Sequence, residues 1–208
     1  MSFIRSALAA VAFIALSQGA VQTASAAKAE NTVVLKLKDG DVAIQLRPDL
    51  APKHVAQIEK LVGEGAYDGV AFHRVIPGFM AQTGDVKFGN VDKGFDASRV
   101  GTGGSDYPDI PAEFSKEPFV RGTVGMARSQ NPNSANSQFF IMFADGAFLN
   151  GQYTVVGKVV SGMDVVDKIK KGSEADNGAV ETPDKIIKAT LQANKSKYKE
   201  RPNGLQRP

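Results

Sequence analysis

Apolar and polar residues alternate from residue 33 onward. Val33-Val34-Leu35-Lys36-Leu37-Lys38 pauses at Asp39-Gly40 and resumes as Val42-Ala43-Ile44-Gln45-Leu46. A period of two marks a strand buried on one face, and Asp-Gly between two such runs predicts a tight hairpin. The period then changes. Across residues 52–62, Val55, Ile58, Leu61 and Val62 recur at helical spacing. Pro52 suits the first helical turn, and Gly63 and Gly65 suit its end. His54 stands off that apolar stripe and is expected in solvent. Residues 72–76 and 79–82 are short apolar runs split by Pro77-Gly78, and residues 123–127, 138–143, 153–160 and 186–191 supply further strands. Residues 163–169 predict a second, short amphipathic helix. Residues 86–107 hold five glycines and no period, which predicts a long loop.

Six to eight strands with only two helices predict a mainly β fold, a closed antiparallel barrel. Eight strands enclose little more than their own side chains. The barrel interior is therefore expected to be core, with any working groove on its outside.

Composition narrows the function classes. The chain has 208 residues, enough for one domain, and a net charge of +3 from 25 basic and 22 acidic residues. That balance is too mild to argue for nucleic acid or an anionic membrane surface. Cysteine is absent, which removes disulfides, thiol nucleophiles and thiolate metal sites. With only His54 and His73, no metal site and no cofactor are expected.

The ends differ from the middle. Arg5 precedes an apolar run at residues 7–16, and Ala24-Ser25-Ala26 offers a small-x-small cleavage site. Residues 1–26 read as a secretory signal peptide, too short for a transmembrane helix. The periplasm is the expected location, with no membrane attachment after cleavage. Residues 27–192 form the predicted domain. Residues 193–208 are polar and basic with no core pattern, and read as a disordered tail.

The chemistry centres on Phe72-His73-Arg74-Val75-Ile76-Pro77-Gly78-Phe79-Met80-Ala81-Gln82-Thr83-Gly84-Asp85. An arginine among Phe, Val, Ile and Met is costly to bury unless paired. The pattern leaves two readings open: Arg74 snorkels or meets a carboxylate, or it serves a site. The Pro-Gly break resets the strand faces, so spacing alone does not place Arg74 beside Phe79, Met80 and Gln82. Gly101-Thr102-Gly103-Gly104 lacks the Gly-Lys-Ser/Thr ending of a phosphate loop and reads as a tight turn. His73 faces away from Arg74 and is expected to be a packed or hydrogen-bonded scaffold residue and not a general base.

This stretch resembles the signature of the cyclophilin family of peptidyl-prolyl cis/trans isomerases, in its bacterial periplasmic branch. Gly125-Met126-Ala127-Arg128-Ser129 with Asn136-Ser137-Gln138-Phe139-Phe140-Ile141, and Phe148-Leu149-Asn150-Gly151 leading into Tyr153, resemble it too. The similarity runs over residues 31–192.

The resemblance implies a mainly β fold, a closed eight-stranded antiparallel barrel capped by two α-helices. It also implies an enzyme that rotates Xaa-Pro peptide bonds and assists the folding of exported proteins. Arg74 and Gln82 match its catalytic positions. Phe79, Met80, Phe140 and Leu149 match the walls of a proline pocket, with Phe148 at the rim. Ala127, Arg128, Gln138 and Tyr153 match positions along the peptide groove, which the Gly101–Gly104 turn would border. Pro-containing unfolded or flexible segments are the implied partners, and a monomer is expected. Phe148, Tyr153 and Arg128 stand where better-known eukaryotic members have tryptophan, histidine and asparagine. Weak cyclosporin binding at most is therefore expected. The fifteen residues between Asp85 and Gly101 exceed the family's shorter members. The same groove also suits a binding module or chaperone for proline peptides that needs no turnover. A hollow-barrel carrier of apolar ligands is a third reading, against which the large strand side chains argue.

Overall fold

A computed structural model describes residues 31–192. The expected signal peptide and basic tail therefore lie outside the described residues. Eight strands are present: β1 (Thr32–Leu37), β2 (Gly40–Leu46), β3 (Arg74–Ile76), β4 (Met80–Thr83), β5 (Thr123–Met126), β6 (Phe139–Met142), β7 (Val155–Ser161) and β8 (Lys188–Leu191). Two α-helices, α1 (Pro52–Gly63) and α2 (Met163–Lys168), and a 3-10 turn at Ala147–Leu149 complete the elements. The hairpin at Asp39-Gly40 forms as the alternation predicts, with Leu37 opposite Gly40.

The strands form one antiparallel sheet in the order β3-β4-β6-β5-β7-β2-β1-β8. No ladder joins β3 to β8, so the expected closed barrel is corrected to an open half-barrel. The reason lies in the chain between α2 and β8, which runs across the opening. Val75 donates its N–H to Gly178, Val180 to His73, Phe72 to Asp184 and Ile186 to Val70. Those contacts occupy the free edge of β3 and the chain before it, where β8 would have to pair.

The two sheet faces carry different cores. Inward, Val33, Leu35, Ile44, Val75, Ala81, Val124, Phe139 and Ile141 pack with α1 in one buried cluster. Tyr67 meets Phe139 edge-on at 5.6 Å, and its hydroxyl donates to the Ser137 carbonyl. A void of only about 10 Å³ remains among Val33, Leu35, Ile58 and Phe139. That is about one water's worth, so the interior offers no room for a carried ligand. Outward, Met80, Phe119, Phe140, Met142, Leu149 and Val155 form a second buried cluster.

His54 is a correction. It is fully buried, not solvated. It lies four residues before Ile58 and so shares the face of Val55, Ile58, Leu61 and Val62. Its Nδ1 lies 2.6 Å from the Glu113 carboxylate, which also accepts the Lys53 and His54 backbone N–H groups. Helix α1 has no side-chain cap of its own and no acidic residue in its first turn. Glu113, sixty residues on, satisfies those N-terminal donors instead.

Candidate active site

Register decides what spacing left open. Across the β3–β4 hairpin, Arg74 stands opposite Gln82 and Ile76 opposite Met80. On the other side of β4, Gln82 faces Phe140 and Met80 faces Met142. Directly opposed residues share a sheet face. Arg74, Met80, Gln82 and Phe140 therefore all point outward, while Val75, Ala81 and Ile141 point into the half-barrel. Gly125, opposite Phe140 on β5, makes this possible. A Cβ at Gly125 would lie 2.6 Å from both Phe119 and Phe140, so only glycine lets those rings stack at 5.7 Å above the strand.

The outward side chains line a cleft of about 430 Å³. Phe79, Met80, Phe140 and Leu149 form its apolar wall, as the motif comparison implies. Met80, Phe140 and Leu149 are buried, whereas Phe148 is 66% exposed at the rim, 5.5 Å from the Phe79 ring. Tyr153 meets Phe140 edge-on at 5.8 Å, and the Arg128 guanidinium lies over the Tyr153 ring at 4.3 Å. Arg128 is further held by the carbonyls of Ser129 and Gln152. Gln82, Ala127 and Arg128 also line an adjoining polar cleft of about 570 Å³, bordered by Gly101–Gly104 and Gln138. These three residues form the ridge between the two.

Arg74 is half-buried and does not meet a carboxylate. Among the described residues it forms no ion pair. Its Nη1 donates to Gln82 Oε1 at 3.3 Å, its Nε to the Asn177 carbonyl at 3.0 Å and its Nη2 to Asn177 Oδ1 at 2.8 Å. All three acceptors are neutral. Burial pushes its pKa down, with Tyr153 acting the other way, yet a guanidinium keeps its charge in proteins. Nη1 also makes a weak contact with the Met80 sulfur at 3.9 Å, so four of the five N–H donors are engaged and one, on Nη2, is left without a partner among the described residues. No carboxylate lines the apolar cleft. The site can thus present an undiminished positive charge and a free donor at the mouth of an apolar pocket.

A relay of neutral side chains holds this arrangement. Gln82 Nε2 donates to Gln138 Oε1 at 3.0 Å, and Gln138 Nε2 donates to the carbonyls of Gly101 and Gly103. The same two glycines donate their N–H groups to Asp85, which is fully buried and also accepts from Lys87 and Phe88. Asp85 thereby ties down both ends of the long loop at residues 86–107. Sequence reasoning gave no role to Asp85 or Asn177. Asp85 closes the motif stretch, and Asn177-Gly178 is a turn dipeptide; neither shows its partner in the chain order. His73 is buried on the other side of β3, and among the described residues neither ring nitrogen makes a well-formed hydrogen bond, so it is a packed scaffold residue.

Comparison with known proteins agrees with this geometry. Residues 32–191 match the family model described as cyclophilin type peptidyl-prolyl cis-trans isomerase/CLD. The chain is 88% identical over 194 residues to a "Probable peptidyl-prolyl cis-trans isomerase" of Brucella suis, covering 93% of this chain and 99% of that protein. It is 37% identical over 161 residues to the peptidyl-prolyl cis-trans isomerase of Acinetobacter baylyi, covering 75% and 80%. Among solved structures, it superposes on the cyclophilin AquaCyp293 from Hirschia baltica with a TM-score of 0.66 at 28% identity, over 86% of this chain and 81% of that one. A Cryptosporidium parvum cyclophilin-type isomerase, crystallised in the presence of the dipeptide Ala-Pro, shares the fold with a TM-score of 0.65 at 24% identity, over 78% and 99%. The chain belongs to the cyclophilin-type family and is a peptidyl-prolyl cis/trans isomerase.

Proposed function

We propose that Arg74 is the group that lowers the rotation barrier, acting on a proline ring seated in the apolar cleft. Rotation about an Xaa-Pro bond faces a barrier of ~18–20 kcal/mol from amide resonance. No covalent bond has to form, so the catalyst must bind the twisted amide better than either planar isomer. Twisting returns a lone pair to the prolyl nitrogen. A donor beside that nitrogen then gains a hydrogen bond that the planar amide cannot accept.

The observation that carries this reading is the set of neutral partners around Arg74. A carboxylate there would draw off the charge that the twisted amide is to feel. Phe79, Met80, Phe140 and Leu149 take the ring, and Gln82 orients Arg74. The ridge residues Ala127 and Arg128 guide the peptide before proline toward the polar cleft. A binding module has no need of an uncompensated arginine at this point, which favours turnover over mere capture.

The proposed setting is the periplasm, where the enzyme assists folding of exported proteins that are limited by proline isomerisation. The support is the short apolar run and Ala24-Ser25-Ala26 near the start of the chain. Acceleration of cis/trans exchange in a short Xaa-Pro peptide tests the activity, and its absence would overturn the reading of the cleft. N-terminal sequencing of the protein from its native cells tests export. A start near Ala27 is expected, and an intact Met1 in the cytoplasm would contradict it.

A further inference from the structure

We propose that Asn177 is a positioning residue for the Arg74 guanidinium, which makes the exposed turn around it a working part of the isomerase site. The inference rests on the reading of Arg74 above. Three observations carry it.

Asn177 engages Arg74 twice, through its backbone carbonyl at 3.0 Å and its side-chain oxygen at 2.8 Å. A planar guanidinium held at Nε and Nη2 by one residue and at Nη1 by Gln82 has neither rotation nor tilt left to it. With Nη1 also against the Met80 sulfur at 3.9 Å, what remains free is one N–H on Nη2, and its direction is set.

The side chain of Asn177 is not needed to build its turn. Asn177 is exposed, and its backbone is held by other bonds: its own N–H to Glu174, Gly178 to Ser173, and Val75 to Gly178. The turn is also anchored to β3 by the N–H of Gly172, which donates to Val75. Arg74 lies 103 residues away in the chain, and is the partner of both Asn177 contacts.

The residue type fits a positioning role and not a purely conformational one. Asn177 is the one non-glycine at positive φ among the described residues, at 55°. Glycine would adopt that backbone at least as readily, and asparagine and aspartate are the side chains that tolerate it. Of these, glycine offers Arg74 no side-chain acceptor, and aspartate would offer a charged one and form an ion pair. Asparagine alone orients the guanidinium and leaves its charge uncompensated.

The test compares wild type, Asn177→Gly and Asn177→Asp in peptide isomerisation, thermal unfolding and the Arg74 Nε–H signal in the NMR spectrum. Asn177→Gly keeps the backbone conformation and removes the side-chain bond. The expected result is a kcat reduced about 10- to 100-fold, the range for misplacing a catalytic group by a fraction of an ångström to an ångström, with KM nearly unchanged. The melting temperature should hold within a few degrees, and the Arg74 signal should broaden. Asn177→Asp should keep the Arg74 signal sharp, because the acceptor is retained, while turnover stays below wild type. Asn177→Gly with wild-type kcat and a sharp Arg74 signal would overturn the positioning role. A fall in melting temperature with unchanged kcat would assign Asn177 to the fold alone and also overturn it. An inactive wild type would instead remove the reading of Arg74 on which the inference stands.

Discussion

Arg74 and Gln82 stand directly opposite each other across the β3–β4 hairpin, and the Nη1 nitrogen of one lies 3.3 Å from the Oε1 oxygen of the other. The Pro77-Gly78 turn sets that register. A one-residue slip would send Gln82 into the half-barrel core and leave Arg74 without this partner. The pairing is neutral on one side, so it orients the arginine without cancelling its charge.

Gln82→Glu separates orientation from charge. The carboxylate keeps a partner for Nη1 but forms an ion pair with Arg74. It also turns an acceptor toward Gln138 Oε1, which now accepts from Gln82 Nε2 at 3.0 Å. Turnover is expected to fall roughly tenfold or more, within the reach of one impaired electrostatic donor. Peptide isomerisation kinetics check this, and wild-type kcat in the variant would show that charge compensation is irrelevant.

Asp85→Asn should destabilise the protein. Oδ1 accepts from Lys87 and Phe88, and Oδ2 from Gly101 and Gly103, at 2.7–3.1 Å. An amide keeps one oxygen and aims its NH₂ at the remaining donors. Orphaning two buried donors costs roughly 2–5 kcal/mol. Calorimetry should show a melting temperature lowered by about 5–15 °C.

Acid should weaken the fold through His73. Burial pushes its pKa down to about 4 from an ordinary 6.5, with Asp85 opposing. Between those values the unfolded chain binds a proton that the folded protein refuses, so stability is full above pH 6.5 and falls toward pH 4. The complete loss is roughly 3 kcal/mol. His54 is lowered too, by burial against the opposing Glu113 carboxylate, and acts in the same direction. Urea unfolding of His73→Leu at pH 7 and pH 4.5 should show a smaller difference than wild type. Equal differences would remove His73 as the source.

What the sequence made legible was local. The period-two alternation around Asp39-Gly40 and the helical spacing from Pro52 specify their elements because each pattern closes within a few residues. The hidden features are those made by distant partners. His54 reads as polar until Glu113, 59 positions later, is seen to accept from it. Barrel closure fails because the irregular chain before β8, which has no period, occupies the β3 edge. Within the site, the apolar wall and Arg74 were visible as a motif, whereas Asn177 lies in an exposed turn where only the fold brings it to Arg74.

The most direct test of the account is kcat/KM for Xaa-Pro isomerisation by Arg74→Ala beside its melting temperature. Arg74 is half-buried and its partners are neutral, so the variant leaves no buried charge unpaired and should stay folded. The account predicts a loss of roughly 100- to 1,000-fold, the range for removing one preorganised donor. Near wild-type kcat/KM in a variant of unchanged stability would contradict it.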